Sequence, residues 1–376
     1  MDQATASATR PASPVAAAGA PATGTRSPSG RPSQLGRDLL LLGIVGALLA
    51  ASIAAGFAVL YRQFWGPSAF VERYVSLLAE GRAAEALNVP GVALDTRDLE
   101  AAGLPATASE ALLRSAVMNR PLSDVEVLSE RTVDGVTEVT VGYLAEGRRA
   151  SSTYRVVRDG TEGLVPRWSF ATSPLAVIDL TVRGSMRFTV NDFEIDKRQV
   201  SPDGAEAEVL APVPLLVFSP GLYAITVDTP TARAEETLVL ADAAMRGVRV
   251  DIQAEPTEEF TGVVQEQVEN FLRECGTQQV LQPTGCPFGI SIDDRVDGET
   301  ISWSIIQDPV VEIVPHGAYW AIAPATATAH VEAEVRSIFD GSVYQLSEDV
   351  PFVIDGTIDI LPDGTASILI GSPMLR

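Results

Sequence analysis

Cys275 and Cys286 are the two cysteines of the chain, with ten residues between them. That spacing is far from Cys-x-x-Cys, so thiol redox cycling is not expected. A bridge closing the short loop would stabilise the fold by about 3 kcal/mol in the chain-entropy model; two buried thiols are the alternative. His316 stands in a Val-Pro-His-Gly turn and His330 in an alternating run between Ala329 and Val331. Neither has a sequence neighbour that sets up a nucleophile, a base and an orienting acid. Asp293, Asp294, Asp297 and Glu299 gather around a turn. They lack the Asp-x-Asp-x-Asp-Gly register that encloses calcium, which favours a solvated acidic turn over a metal site. Trp303, Tyr319 and Trp320 would either line a ligand pocket or fill a core. No phosphate-cradling loop and no Ser-x-x-Lys pair occurs, and no catalytic residue, metal or cofactor is expected.

The formal charge of −22 over 376 residues removes nucleic acid from the expected partners, because phosphate binding needs clustered Lys and Arg. The same excess argues against docking on anionic lipid and for a soluble acidic body.

Residues 39–60, LLLLGIVGALLAASIAAGFAVL, carry no charge. At about 1.5 Å per residue such a helix crosses a hydrocarbon core of roughly 30 Å. Arg10, Arg26, Arg31 and Arg37 against Asp2 and Asp38 give the preceding flank a net +2, leaving −24 for the remainder. The positive-inside bias then places the N-terminus in the cytoplasm and the body outside the cell membrane, although Arg62 on the far side opposes it. Tyr61, Phe64 and Trp65 follow as interfacial aromatics. The rival is a cleaved signal peptide with Gly56-Phe57-Ala58 as the cleavage site; its apolar core would be unusually long. Gly43, Ala47, Ala51 and Ala55 form a small-residue stripe with Ser52 and Gly56 beside it, a candidate helix–helix contact for a homo-oligomer. Residues 1–37, rich in Ala, Pro, Ser, Thr and Gly, are expected to be a disordered tail, either an inert spacer or a kinase substrate.

The body reads as α+β, in three modules. Within 66–172, Phe70, Val71, Tyr74, Leu77 and Leu78 fall on one helical face. A weaker helix over Ser109–Met118, with Ser109 as cap, precedes four period-two strands. Helix followed by antiparallel sheet resembles the nuclear-transport-factor-2-like, or cystatin-like, cone. Enzymes on that scaffold usually carry an Asp or His pair inside it, and this module has no histidine.

Module 174–256 reads as short strands: Ala176–Val182, Met186–Val190, Ala207–Leu210, Leu215–Phe218, Leu222–Val227 and Glu236–Leu240. Its Ser219-Pro220-Gly221-Leu222-Tyr223 stretch resembles the Pro-Gly-x-Tyr hairpin of PEGA-like β-sandwiches. Asn191-Asp192 stands where that family has an Asn-Gly-like turn. The resemblance implies a spacer or binding module.

Module 258–372 opens with a helix carrying Val264, Val268, Phe271, Leu272 and Cys275, then strands: Thr300–Ile306, Val310–Val314, Tyr319–Ala323, Thr326–Phe339, Ser342–Ile354, Gly356–Leu361 and Thr365–Ile370. The order repeats helix before antiparallel sheet. Seven Asp-Gly pairs, at 134, 159, 203, 297, 340, 355 and 363, read as hairpin turns.

Tail, single span (38–61), sandwich and cone together are similar to the plan of teicoplanin-resistance-associated membrane proteins. The resulting expectation is a non-enzymatic, membrane-anchored binding or scaffolding protein of the bacterial cell envelope, whose partner is another envelope protein, a small ligand or a cell-wall polymer. The alternatives are an enzyme with a cone-shaped active site and a purely structural spacer.

Overall fold

The computed structural model describes residues 34–163, 165–361 and 365–371. Most of the expected tail lies outside the described residues. Helix α1, Gln34–Trp65, extends the apolar run by four residues at each end beyond the expected 38–61. It is the one described helix long and apolar enough to cross a membrane, and its apolar window has no buried residue. Met1–Leu60 and Tyr61–Arg376 are separate compact units.

The body begins with α2 (Pro67–Ala79), α3 (Ala83–Leu87) and α4 (Thr96–Ala101), followed by β1 (Ser123–Val133), β2 (Val136–Ala145), β3 (Arg148–Glu162) and β4 (Val165–Phe170). Proline at the first position of α2 costs no helical hydrogen bond. Its Phe70, Val71, Tyr74, Val75 and Leu78 are buried against the antiparallel sheet β1-β2-β3-β4. Tyr74, Tyr154 and Phe170 meet edge-on in the hollow, with ring centroids 5.0–6.2 Å apart. The concavity of this module is therefore filled by aromatic side chains. Asp134-Gly135 makes a two-residue hairpin with both φ angles positive, as that turn type requires. The helix expected over Ser109–Met118 is instead two 3-10 turns, Glu110–Leu112 and Ser115–Val117. Ser109 does cap the first, accepting from Ala111 N at 3.3 Å. Its backbone, however, is claimed by the next module, donating to Pro214 O and accepting from Leu216 N, which stops a continuous helix.

The second module contains β5 (Leu175–Arg183), β6 (Arg187–Val190), β7 (Phe193–Asp196), α5 (Lys197–Val200), β8 (Val213–Phe218), β9 (Gly221–Asp228), β10 (Ala232–Ala241), β11 (Gly247–Gln253) and β12 (Glu255–Pro256). Two sheets, β12-β10-β9-β6-β7 and β11-β5-β8, enclose Ile178, Leu180, Leu215, Ile225 and Val227. The expected strand Ala207–Leu210 is absent; the chain there follows a 3-10 turn at Gly204–Glu206 and carries Val209 O to the buried Lys197 amine. The Pro-Gly-x-Tyr stretch is not a hairpin either. It joins β8 in one sheet to β9 in the other, while Tyr223 does return to the core and donates to Phe218 O at 3.0 Å. The true two-residue hairpin is Asn191-Asp192, both residues at positive φ, between β6 and β7.

Within the sheet β11-β5-β8, strands β5 and β8 are buried on both faces. Ala176, Ile178, Leu215 and Val217 point into the sandwich, whereas Leu175, Val177, Leu216 and Phe218 pack with α2 in the first module. β11 runs parallel to β5 at one edge of this sheet and alternates, with Arg249, Asp251 and Gln253 exposed.

The third module is α6 (Glu258–Gly276), β13 (Arg295–Val296), β14 (Ser302–Gln307), β15 (Ile313–His316), β16 (Tyr319–Arg336), β17 (Val343–Ile360) and β18 (Ala366–Gly371). Thr257 caps α6 by accepting from Phe260 N at 3.1 Å, and Glu258 and Glu259 face its positive end. Phe260, Val264, Val268, Leu272 and Cys275 are buried. The four strands expected between 319 and 361 are two long ones, β16 and β17, paired along their length apart from a shift between Ile322 and Ala325. Asp355-Gly356 is consequently strand, not turn. A side chain at Gly356 would stand 2.8 Å from Leu369 O on β18, so the glycine admits the neighbouring strand. Asp159-Gly160 likewise forms a bulge within β3. Asp363-Gly364 lies outside the described residues.

Candidate functional site

Cys275 at the end of α6 and Cys286 in the following loop are joined by a disulfide, with Cα atoms 5.9 Å apart. Both are buried, so the pair is a staple under the sheet and not a nucleophile. Gly43, Ala47, Ala51 and Ala55 lie on α1 and are exposed. The acidic turn is consumed locally. Asp294 accepts from Ile338 N at 3.0 Å and from Tyr344 Oη at 3.2 Å, and Asp297 starts the turn Gly298–Thr300. Among the described residues no group of three or more His, Cys, Asp or Glu side chains is placed to hold a metal ion.

His316 is exposed at the end of β15. His330 has the surroundings that its sequence neighbourhood does not reveal. Its Nδ1 lies 2.6 Å from Asp349 Oδ1 and its Nε2 3.3 Å from Ser347 Oγ. Glu332 stands 3.8 Å from Nε2. The order Ser, His, Asp is that of a nucleophile, a base and an orienting acid. The register of β16 against β17 creates it, pairing His330 with Asp349. These three side chains stand on the sheet face opposite Val331 and Ala333, and Ser347 and Asp349 are exposed. None of them lines a described cavity. Acyl transfer needs a concave, desolvated site with donors aimed at the oxyanion; this array crosses from β16 to β17 on an open sheet face.

Among the described residues, two cavities of ligand size stand out in the body. One, of about 690 Å³, lies between the disulfide loop and β17 and is bordered by Phe271, Phe288, Val350 and Phe352, with no charged side chain in its wall. The other, of about 640 Å³, lies between the sandwich and the C-terminal sheet. Its walls come from the start of β6, Glu194 on β7 and Arg198 on α5, Val209, the β9–β10 turn, the β15–β16 turn and the end of β17. The ladder between β6 and β9 opens this second space. It pairs Thr189 with Thr226 and Val190 with Ile225 and stops. Arg187 and Asp228, two positions further in the same register, border the cleft instead.

Phe188, Trp320 and Ile358 supply the apolar lining and are themselves buried. Trp320 packs over Gly184, whose φ of +84° leaves room that a Cβ would remove, approaching Cζ2 to 2.5 Å. The Trp320 indole N–H is buried without an acceptor among the described residues. Trp303, by contrast, is a core residue: it stacks 5.0 Å from Phe288 and donates to Val280 O at 2.8 Å. On the polar wall, Arg198 holds Asp196 through two N–H groups at 2.9 and 2.8 Å, which keeps that carboxyl below its usual pKa. Next to it Lys197 is buried and donates to Val209 O at 2.7 Å and to Ala211 O. Burial lowers its pKa to about 8.

No signal in the sequence marks this cleft, because its walls come from six segments spread between Gly184 and Leu361. No protein-family model matches the chain, and no curated protein or solved structure does so either.

Proposed function

We propose that this is a non-enzymatic, single-span membrane protein of the bacterial cell envelope, with its N-terminus in the cytoplasm and its body outside, and that the body binds a ligand. The observation that carries the binding reading is the 640 Å³ cleft at the seam between the sandwich and the C-terminal sheet, apolar inside and charged at its wall. Arg26, Arg31 and Arg37 close before the apolar run, against Arg62 and Arg73 close after it, favour the orientation. The disulfide suits a compartment without a thiol-reducing pool. A module plan like that of teicoplanin-resistance-associated proteins agrees with a role at the cell wall.

Orientation is tested with a membrane-impermeant maleimide on intact cells, since both native cysteines are oxidised. Ser342→Cys in the β16–β17 turn reacts without lysis, and Ser29→Cys in the tail reacts only after lysis; the reverse pattern refutes the topology. Binding is tested by the melting temperature of the body against soluble wall fragments, peptides and small amphiphiles. A body that no member of these classes stabilises is not a binding protein of this kind.

A further inference from the structure

Three carboxylates border the cleft: Glu194 on β7, Asp228 at the end of β9 and Asp359 near the end of β17. None of the three has a side-chain hydrogen bond or ion pair among the described residues. The cations on the same wall are already engaged. Arg198 is bound bidentately to Asp196, and Arg187 Nε lies 3.7 Å from that same carboxylate. Two guanidiniums thus face four carboxylates, and the unmatched charge is negative. Behind this rim the lining is apolar, through Phe188, Trp320 and Ile358, and Ile360 and Leu361 are exposed at the edge.

We infer that the cleft takes a small amphiphile with an apolar body and a protonated amine, the amine at Glu194, Asp228 and Asp359 and the body against Met186, Ile360 and Leu361, over the closed floor of Phe188, Trp320 and Ile358. The step rests on the binding reading above and adds the chemistry of the ligand. An anionic head would face unpaired carboxylates of like sign across a partly apolar space, where repulsion is less screened than in bulk water. A cationic head meets opposite charge there, and its apolar body leaves water for a cavity within the size range of ligand sites. Trp320, 1% exposed, is a built-in reporter at the inner end.

The test uses fragment 61–376. Every buried core residue lies between Phe70 and Ile358, α1 contributes none of them, and Tyr61–Arg376 is one compact unit, so the fragment folds without the span. Decylammonium, decanol and decanoate share one chain and differ in head charge. Calorimetry and tryptophan emission are expected to show saturable 1:1 binding of decylammonium, at least tenfold tighter than decanoate and tighter than decanol. The Glu194→Gln/Asp228→Asn/Asp359→Asn variant, altered only at exposed positions, is expected to lose at least tenfold in decylammonium affinity and to retain its melting temperature. Ser185→Trp, which fills the mouth, is expected to abolish binding. Equal binding of the three probes, or a triple variant that binds decylammonium as well as the parent, overturns the assigned chemistry and leaves a binding cleft. No binding of any probe overturns the inference, and the binding reading then depends on the wall-fragment and peptide arms described above.

Discussion

Asn191 Nδ2 donates to the Val117 carbonyl at 2.7 Å, across 74 residues of chain. The same amide donates to Leu222 O at 2.9 Å, and its Oδ1 accepts from Ala224 N at 2.7 Å. One buried side chain therefore ties the 3-10 turn Ser115–Val117 of the first module to the β6–β7 hairpin and to β9. Asn191→Ala removes all three bonds and strands buried backbone groups. It also places alanine at a φ of +49°, where asparagine is better tolerated. The expected loss is about 2–4 kcal/mol by urea unfolding; a loss below about 1 kcal/mol shows that the network is not holding the seam.

Lys197 gives the protein a specific alkaline response. Its folded pKa, about 8, lies below the unfolded value of about 10.4. Between these values the unfolded chain binds more protons, so stability rises with pH across this window, and below about pH 8 the burial cost is present in full. Tyr74, Tyr154 and Tyr223 act in the opposite sense. Burial raises their folded pKa values, so their neutral forms are favoured in the fold and stability falls once pH passes about 10, where unfolded tyrosine ionises. Urea midpoints at pH 7.5 and 9.5 are expected to rise for the parent and to stay level for Lys197→Met. A parent midpoint that does not rise refutes the assignment.

The Cys275–Cys286 bridge spans 11 positions. The Cys275→Ser/Cys286→Ser variant is expected to lose about 3 kcal/mol in the chain-entropy model. The loss should appear in the third module first, because α6 and Phe288 pack on β16 and β17 through this loop. Hydrogen exchange of β16 amides in the variant and the parent checks the location.

Gly184→Ala is expected to destabilise by about 2 kcal/mol, from left-handed backbone and from a Cβ that would press on Trp320. Displacement of the indole should shift tryptophan emission as well. Unchanged emission with lowered stability would assign the whole effect to the backbone.

The Ser347–His330–Asp349 array gives a sharp test of the non-enzymatic reading. Fragment 61–376 and its Ser347→Ala variant are expected to hydrolyse p-nitrophenyl acetate at the same rate. A burst that depends on Ser347 establishes an esterase and overturns that reading. As a structural clasp, the exposed His330–Asp349 pair should show a double-mutant coupling below about 1 kcal/mol.

Local signals in the sequence led directly to local structure. Phe70, Val71, Tyr74 and Leu78 repeat at helical spacing and are the buried face of α2; Asp134-Gly135 is the hairpin its chemistry dictates. Identical dipeptides diverged where tertiary context intervened, as at Gly356, which serves the passage of β18. The double burial of β5 and β8 was hidden because an apolar run does not say which neighbour covers each face. The contacts of His330 depend on the pairing of β16 with β17, and the cleft depends on a ladder that stops two residues short. Registers of this kind are set by packing between distant segments, so no window of sequence contains them.

The shared sheet β11-β5-β8 changes how the body should respond to tension. Beads on a string yield one at a time, each rupture leaving its neighbours intact. Here β5 and β8 face two cores at once, with Leu175, Val177, Leu216 and Phe218 in one and Ala176, Ile178, Leu215 and Val217 in the other, and Arg120 reaches both Glu146 in the first module and Glu236 in the second. Tearing out the first module strips one face of the sandwich sheet, so a pull on the chain should meet a single shared breaking point for both, where the linear order of modules would suggest two.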